Sequence, residues 1–209
     1  MEKLDLRKEL KYLYAPSSKH VELVTVPEFG FAMVDGTILP GTSVAQSTEF
    51  QQAVGALYGV SYTLKFSSKL RQVDPLDYPV MPLEGLWWNA SGEFDRTRHE
   101  PMFFTAMILQ PDHITPEMFK DALERLRQKQ DNPAVDKLRL ERFAEGLCVQ
   151  TMHVGPYAEE LATIAKMHSF AAENGYEYHG KHHEIYLGDP RRATSEKLRT
   201  VLRKPVGHV

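Results

Sequence analysis

The sequence predicts an α+β fold: a pseudo-two-fold tandem of two βαββ units with a groove between them. Three observations carry this. The order strand, helix, strand, strand occurs twice. Met33-Val34-Asp35-Gly36 stands where Met152-His153-Val154-Gly155 stands, and the Trp87–Trp88 strand stands where the Glu184–Tyr186 strand stands. Each half also carries one apolar pattern of helical period. It is Phe50, Ala53, Val54 and Leu57 in the first half, and Leu161, Ile164, Ala165 and His168 in the second. Finally, a helix over 115–129 lies where a connector between the halves belongs. The expected organisation is one domain over 1–209. Residues 1–19 form an N-terminal segment, 20–110 the first repeat, 111–137 the connecting helix and linker, and 138–209 the second repeat.

Taken in order, residues 4–12 alternate charged and apolar positions and read as a short helix. Val21 to Val34 carries two β-branched runs broken at Pro27-Glu28 and Gly30, which predicts a bent strand. Thr48 with Gln51 gives a capping-box pattern for the first helix. Tyr78 to Asn89 reads as a strand holding both tryptophans. Met102 to Leu109 is apolar except at Thr105, as in a strand covered on both faces. Thr115-Pro116-Glu117 opens the connecting helix with proline in its first turn. The second half begins with a bent strand from Leu138 to Val154, interrupted near Glu145-Gly146. Gly155-Pro156-Tyr157 opens a helix for which Gly175 is the C-terminal stop. The strand 178–187 and a last strand over Leu198–Val206 complete the chain.

Composition excludes several classes. The chain has 209 residues, 42% of them hydrophobic, and a net charge of −3, so it carries no basic signature for nucleic acid or an anionic membrane. Cys148 is its single cysteine, which suits a reducing compartment and allows no internal disulfide. The charged N-terminus lacks a signal-peptide core, and no apolar run approaches a membrane span. The expectation is a soluble, cytoplasmic protein.

Chemistry gathers at Tyr178–Pro190 (YHGKHHEIYLGDP). Strand alternation puts Glu184 and Tyr186 on one face, with Ile185 and Leu187 on the other. A carboxylate on a covered sheet must be paired, hydrogen-bonded or waiting for a cation. On an edge strand it would instead sit in water. Trp87 and Trp88 point to opposite faces of their strand. Trp88, with Glu84 and Leu86, is assigned to the groove, because Met81, Leu83 and Trp87 form the more uniformly apolar face. Phe103, Phe104, Met102 and Met107 read as core or groove in the same way, core packing being the commoner role for any one of them. Tyr157, at the helix opening, either turns its hydroxyl into the groove or staples the helix to the sheet. The histidines at 179, 182 and 183 do not make a metal centre, because neighbours in a strand diverge and a metal needs three or four converging ligands. Cys148 lies in an apolar strand and reads as core.

Several segments bring a resemblance. They are Leu4–Leu10 (LDLRKEL) with Tyr14–Ser17 (YAPS); Glu49–Val54 (EFQQAV), Ala56–Tyr58 and Ser61–Phe66 (SYTLKF); Val80–Trp88 (VMPLEGLWW); His153–Tyr157 (HVGPY); and His183–Leu187 (HEIYL) with Asp189–Arg192 (DPRR). Together they resemble the GyrI-like small-molecule-binding proteins, and within them the stand-alone group that includes cyclopropanoid cyclopropyl hydrolases. The resemblance implies the twinned βαββ fold and an aromatic groove for flat, often cationic, xenobiotics. In regulators the module is joined to a DNA-binding helix-turn-helix, for which the residues before the first strand leave no room. It also implies an activity without cofactor or metal: opening the strained ring of DNA-alkylating natural products. Glu184 and Tyr157 would be catalytic, and Trp88, Trp87, Tyr186, Phe104, Met102 and Glu84 would bind ligand. Two other readings stand beside hydrolysis. One is a drug-binding protein that sequesters its ligand with Glu184 as counter-ion, and the other is a gyrase-inhibitor-like protein-interaction module.

Overall fold

The structure is a computed structural model that describes residues 2–92, 94–95, 99–188 and 194–209. Its strands are β1 (Glu2–Lys3), β2 (Glu22–Ile38), β3 (Leu76–Asp77), β4 (Leu83–Asn89), β5 (Met102–Gln110), β6 (Arg139–Val154), β7 (Tyr176–Tyr178), β8 (His182–Tyr186) and β9 (Arg199–His208). Its α-helices are α1 (Leu6–Glu9), α2 (Lys11–Tyr14), α3 (Thr48–Lys69), α4 (Pro116–Arg127) and α5 (Glu160–Glu173).

The two units are β2-α3-β4-β5 and β6-α5-β8-β9, with α4 between them. Their strands do not form two separate sheets. The order β6-β2-β5-β4-β8-β9 closes on itself through β6–β9, and every pairing in that ring is antiparallel. The units meet where like strands pair, β2 with β6 and β4 with β8. Closure removes exposed edges, and it gives each strand an inner, barrel-facing side and an outer side under the helices.

The expected bend in the long strands falls at Gly146, whose φ of +79° suits glycine, opposite Val26 beside Pro27. The strand expected over 78–89 is shorter. It starts at Leu83, and Leu76–Asp77 pairs instead with β1 in a two-stranded parallel ribbon. Ser47, not Thr48, caps α3, its hydroxyl accepting from the Phe50 N–H. Thr115 caps α4 in the same manner, with Pro116 in its first turn. Tyr157 opens a 3-10 turn over Tyr157–Glu159 that leads into α5. The buried face of α5 is Glu160, Met167 and Ala171, so the stripe expected there is turned. Leu161 is exposed, and Leu161 and Ala165 line an open cleft of about 1160 Å³ between α5, β6 and residues 18–21. Gly175, at φ +75°, follows the end of the helix as expected. No helix among the described residues is long and apolar enough to cross a membrane.

The barrel interior holds a buried polar network. The Tyr14 hydroxyl donates to Glu84 Oε1 at 2.6 Å. His183 lies between Glu84 Oε2 at 3.0 Å and Glu145 Oε2 at 2.9 Å. Arg203 donates to Glu145, to Gln150 and to the Leu13 carbonyl. Burial alone would lower the His183 pKa, but the Glu145 charge and the bonds to Glu145 and Glu84 hold it at about 9. Burial works against ionisation of Glu145 too, yet His183 and Arg203 keep its pKa below the usual carboxylate value. Through Tyr12, Leu13, Tyr14 and Ser17 the network ties the N-terminal segment to the barrel. Cys148 is fully buried, and burial pushes its thiol pKa up, as an inert core cysteine requires.

Candidate functional site

The site is built on the outer face of β4 and β8, where the two units meet. Register puts Gly85 opposite Glu184, Trp87 opposite His182, and Leu83 opposite Tyr186. Alternation then places Trp87, His182, Glu184 and Tyr186 on one surface. Glu184 is 0% exposed, so the alternative of an edge strand in water does not hold. Its Oε2 accepts from the Tyr186 hydroxyl at 2.8 Å, and its Oε1 lies 3.3 Å from His182 Nε2. The Tyr186 oxygen in turn accepts from the Trp87 indole N–H at 3.0 Å.

Aromatic rings surround this chain. Tyr157, from the turn before α5, meets the Tyr186 ring edge to face with centroids 5.9 Å apart. Phe94 stacks on His182 at 4.3 Å with the planes 5° apart. Phe50 of α3, Phe104 of β5 and Trp87 pack mutually at 5.1–5.8 Å. Gly36 and Gly85 make that packing fit. A Cβ on residue 36 would run into the Phe104 ring, and one on residue 85 would meet Trp87 Nε1 at 2.6 Å.

The structure brings Glu184, Tyr186, Tyr157, Trp87 and Phe104 together. It also separates Trp88 and Glu84 from Glu184, with which the expected groove joins them. Trp88 and Glu84 lie on the barrel side of β4, away from Glu184. Trp88 stacks on Phe103 at 5.9 Å with the Lys181 ammonium 3.6 Å over its ring, and Glu84 belongs to the His183 network. Trp87 packs under Phe50 of α3, as its more apolar face predicts, whereas the barrel side of β4 is the more polar one, where Glu84, His183, Glu145 and Arg203 are linked in series. Phe104 is fully buried beneath Trp87, and Met102 lies two residues before it on the same face. His182 and His183 point to opposite faces. Asp189, Pro190, Arg191 and Arg192 lie outside the described residues.

Sequence reasoning missed Phe94, Phe50 and Gly85. Phe94 sits in a stretch that reads as polar turn, and Phe50 reads as ordinary helix stripe. The LEGLWW run contained the signal for Gly85: a glycine inside a strand marks close approach of another group.

A hydrogen-bonded, buried carboxylate among aromatic rings can do two things. It can balance a cation held against ring faces, or accept a proton from water.

Known proteins share the fold that carries this site. A family model for the GyrI-like small molecule binding domain matches residues 19–206. An uncharacterized conserved protein from Listeria innocua is 42% identical, with a TM-score of 0.87 over 98% of this chain and 100% of that one. A structure described as a hydrolase from Listeria innocua is 40% identical, with a TM-score of 0.83 over 98% and 100%. The EcmrR C-terminal domain shares the fold at 13% identity, with a TM-score of 0.55 over 91% and 98%. No curated protein matches. The chain belongs to the GyrI-like small-molecule-binding family.

Proposed function

We propose that this protein binds planar aromatic, often cationic, xenobiotics at the outer face of β4 and β8, and hydrolyses the cyclopropane ring of DNA-alkylating cyclopropanoids. The observation that carries this reading is Glu184 itself: fully buried, bonded to Tyr186 and beside His182, with the Tyr157 ring against Tyr186 and the Phe94 ring against His182. The hydrolase from Listeria innocua, similar along its whole length, supports the catalytic part.

In such a substrate the cyclopropane is joined to a dienone. Water attacks the ring methylene, a carbon–carbon bond breaks, and its electron pair passes into the dienone to give a phenolate. Glu184 takes the proton lost by water, and the phenolate is protonated to the phenol. The Tyr157 hydroxyl stabilises charge gathering on the dienone oxygen.

The test is incubation with a cyclopropyl dienone alkylator in ¹⁸O-labelled water. The expected product is the ring-opened alcohol carrying the label. A ligand that binds while its ring stays closed at every pH overturns hydrolysis and leaves a sequestering protein.

A further inference from the structure

We infer that Trp87 is a positioning residue for Glu184, acting through Tyr186, and not a wall of the ligand cage. The inference rests on the site proposed above. Trp87 is 1% exposed and packed under Phe50 and over Phe104, so little of its ring is left for a ligand. Its indole N–H is a donor only. At 3.0 Å it takes an acceptor position on the Tyr186 oxygen, which aligns the phenol hydrogen with Glu184 Oε2, 2.8 Å away. The donors therefore run one way: indole to phenol to carboxylate. That direction presents Glu184 as an acceptor, the form a base or a counter-ion needs. Hydrogen bonds in series polarise one another, so the indole also strengthens the bond that holds the carboxylate.

Gly85 makes the arrangement fit. Residue 85 lies on the same face two positions before Trp87, and any side chain there would stand where the indole lies. Phe50 and Phe104 hold the ring from the other sides. The relay is thus set by β4, β8 and α3 together, across the junction of the two units.

The experiment uses the two tryptophans as built-in probes, since they give two indole N–H signals in a ¹⁵N spectrum. Trp87→Phe assigns them. The Trp87 signal should be protected from solvent exchange. It should move in Tyr186→Phe and also in Glu184→Gln, whose carboxylate accepts from Tyr186, while the Trp88 signal stays in place. A Trp87 signal unmoved by Glu184→Gln overturns the relay, and that variant leaves the aromatic packing intact. In turnover, Trp87→Phe should lower kcat roughly 5- to 10-fold with KM within about twofold, as loss of one hydrogen bond in the transition state predicts. A rise in KM with kcat unchanged would make Trp87 a binding wall and overturn the inference. If the parent protein turns over no cyclopropanoid, hydrolysis fails by itself, and the indole spectra still decide the relay.

Discussion

The Trp87 indole covers Gly85: a Cβ built on residue 85 would stand 2.6 Å from Trp87 Nε1 and 3.0 Å from Cε2. The indole is boxed in by Phe50 and Phe104 and has little space to retreat. Gly85→Ala should therefore destabilise the fold by about 1–3 kcal/mol, the usual cost of overpacking. It should also break the Trp87–Tyr186 bond. Denaturant unfolding with indole NMR on the same samples checks both effects. An alanine variant of unchanged stability and spectrum would show that the contact is not constraining.

Glu184→Gln keeps the shape of the side chain and removes its charge. If Glu184 is the base, turnover should fall about 100- to 10,000-fold with ligand binding retained. The same variant should lose any preference for a planar cation, such as ethidium, over a neutral analogue of the same ring system. Titration calorimetry with the pair measures this. Equal affinities in the parent protein would remove Glu184 as a counter-ion.

His183 gives the fold a pH dependence of definite sign. Its pKa is raised to about 9 in the folded state from an ordinary value of 6.5. Its contribution is complete below about pH 6.5 and is lost as pH rises through 9. The size is on the order of 3 kcal/mol. Unfolding free energy should thus drop between pH 7 and 10, and the drop should shrink in His183→Gln. An equal drop in that variant would assign the effect elsewhere.

Tyr14→Phe deletes the hydroxyl that donates to buried Glu84 Oε1. A buried acceptor losing its donor costs about 1–3 kcal/mol. The variant should also loosen residues 12–17, which hydrogen exchange would register as faster amide exchange there.

Capping of α3 offers a small, clean check. Ser47→Ala should cost about 1 kcal/mol, because Ser47 satisfies the Phe50 N–H, whereas Thr48→Ala should cost little.

Much of this protein was written locally. The repeated βαββ order, the bend at Gly146, the stop at Gly175 and the shared face of Glu184 and Tyr186 follow from period, turn chemistry and strand alternation, which act over a few residues. Hydrophobicity placed Trp87 under α3, but it could not tell that Glu184 shares that side while Trp88 and Glu84 face the inside of a closed barrel. That side depends on Glu145, His183 and Arg203, from three different strands, neutralising one another in the interior. The turned face of α5 has the same origin: a helix packs where the sheet is, and the sheet is assembled from both halves. The relay from Trp87 to Glu184 lies furthest from the sequence. Its two ends are 97 positions apart, and only the register of β4 against β8, with no side chain at Gly85, brings indole, phenol and carboxylate into line.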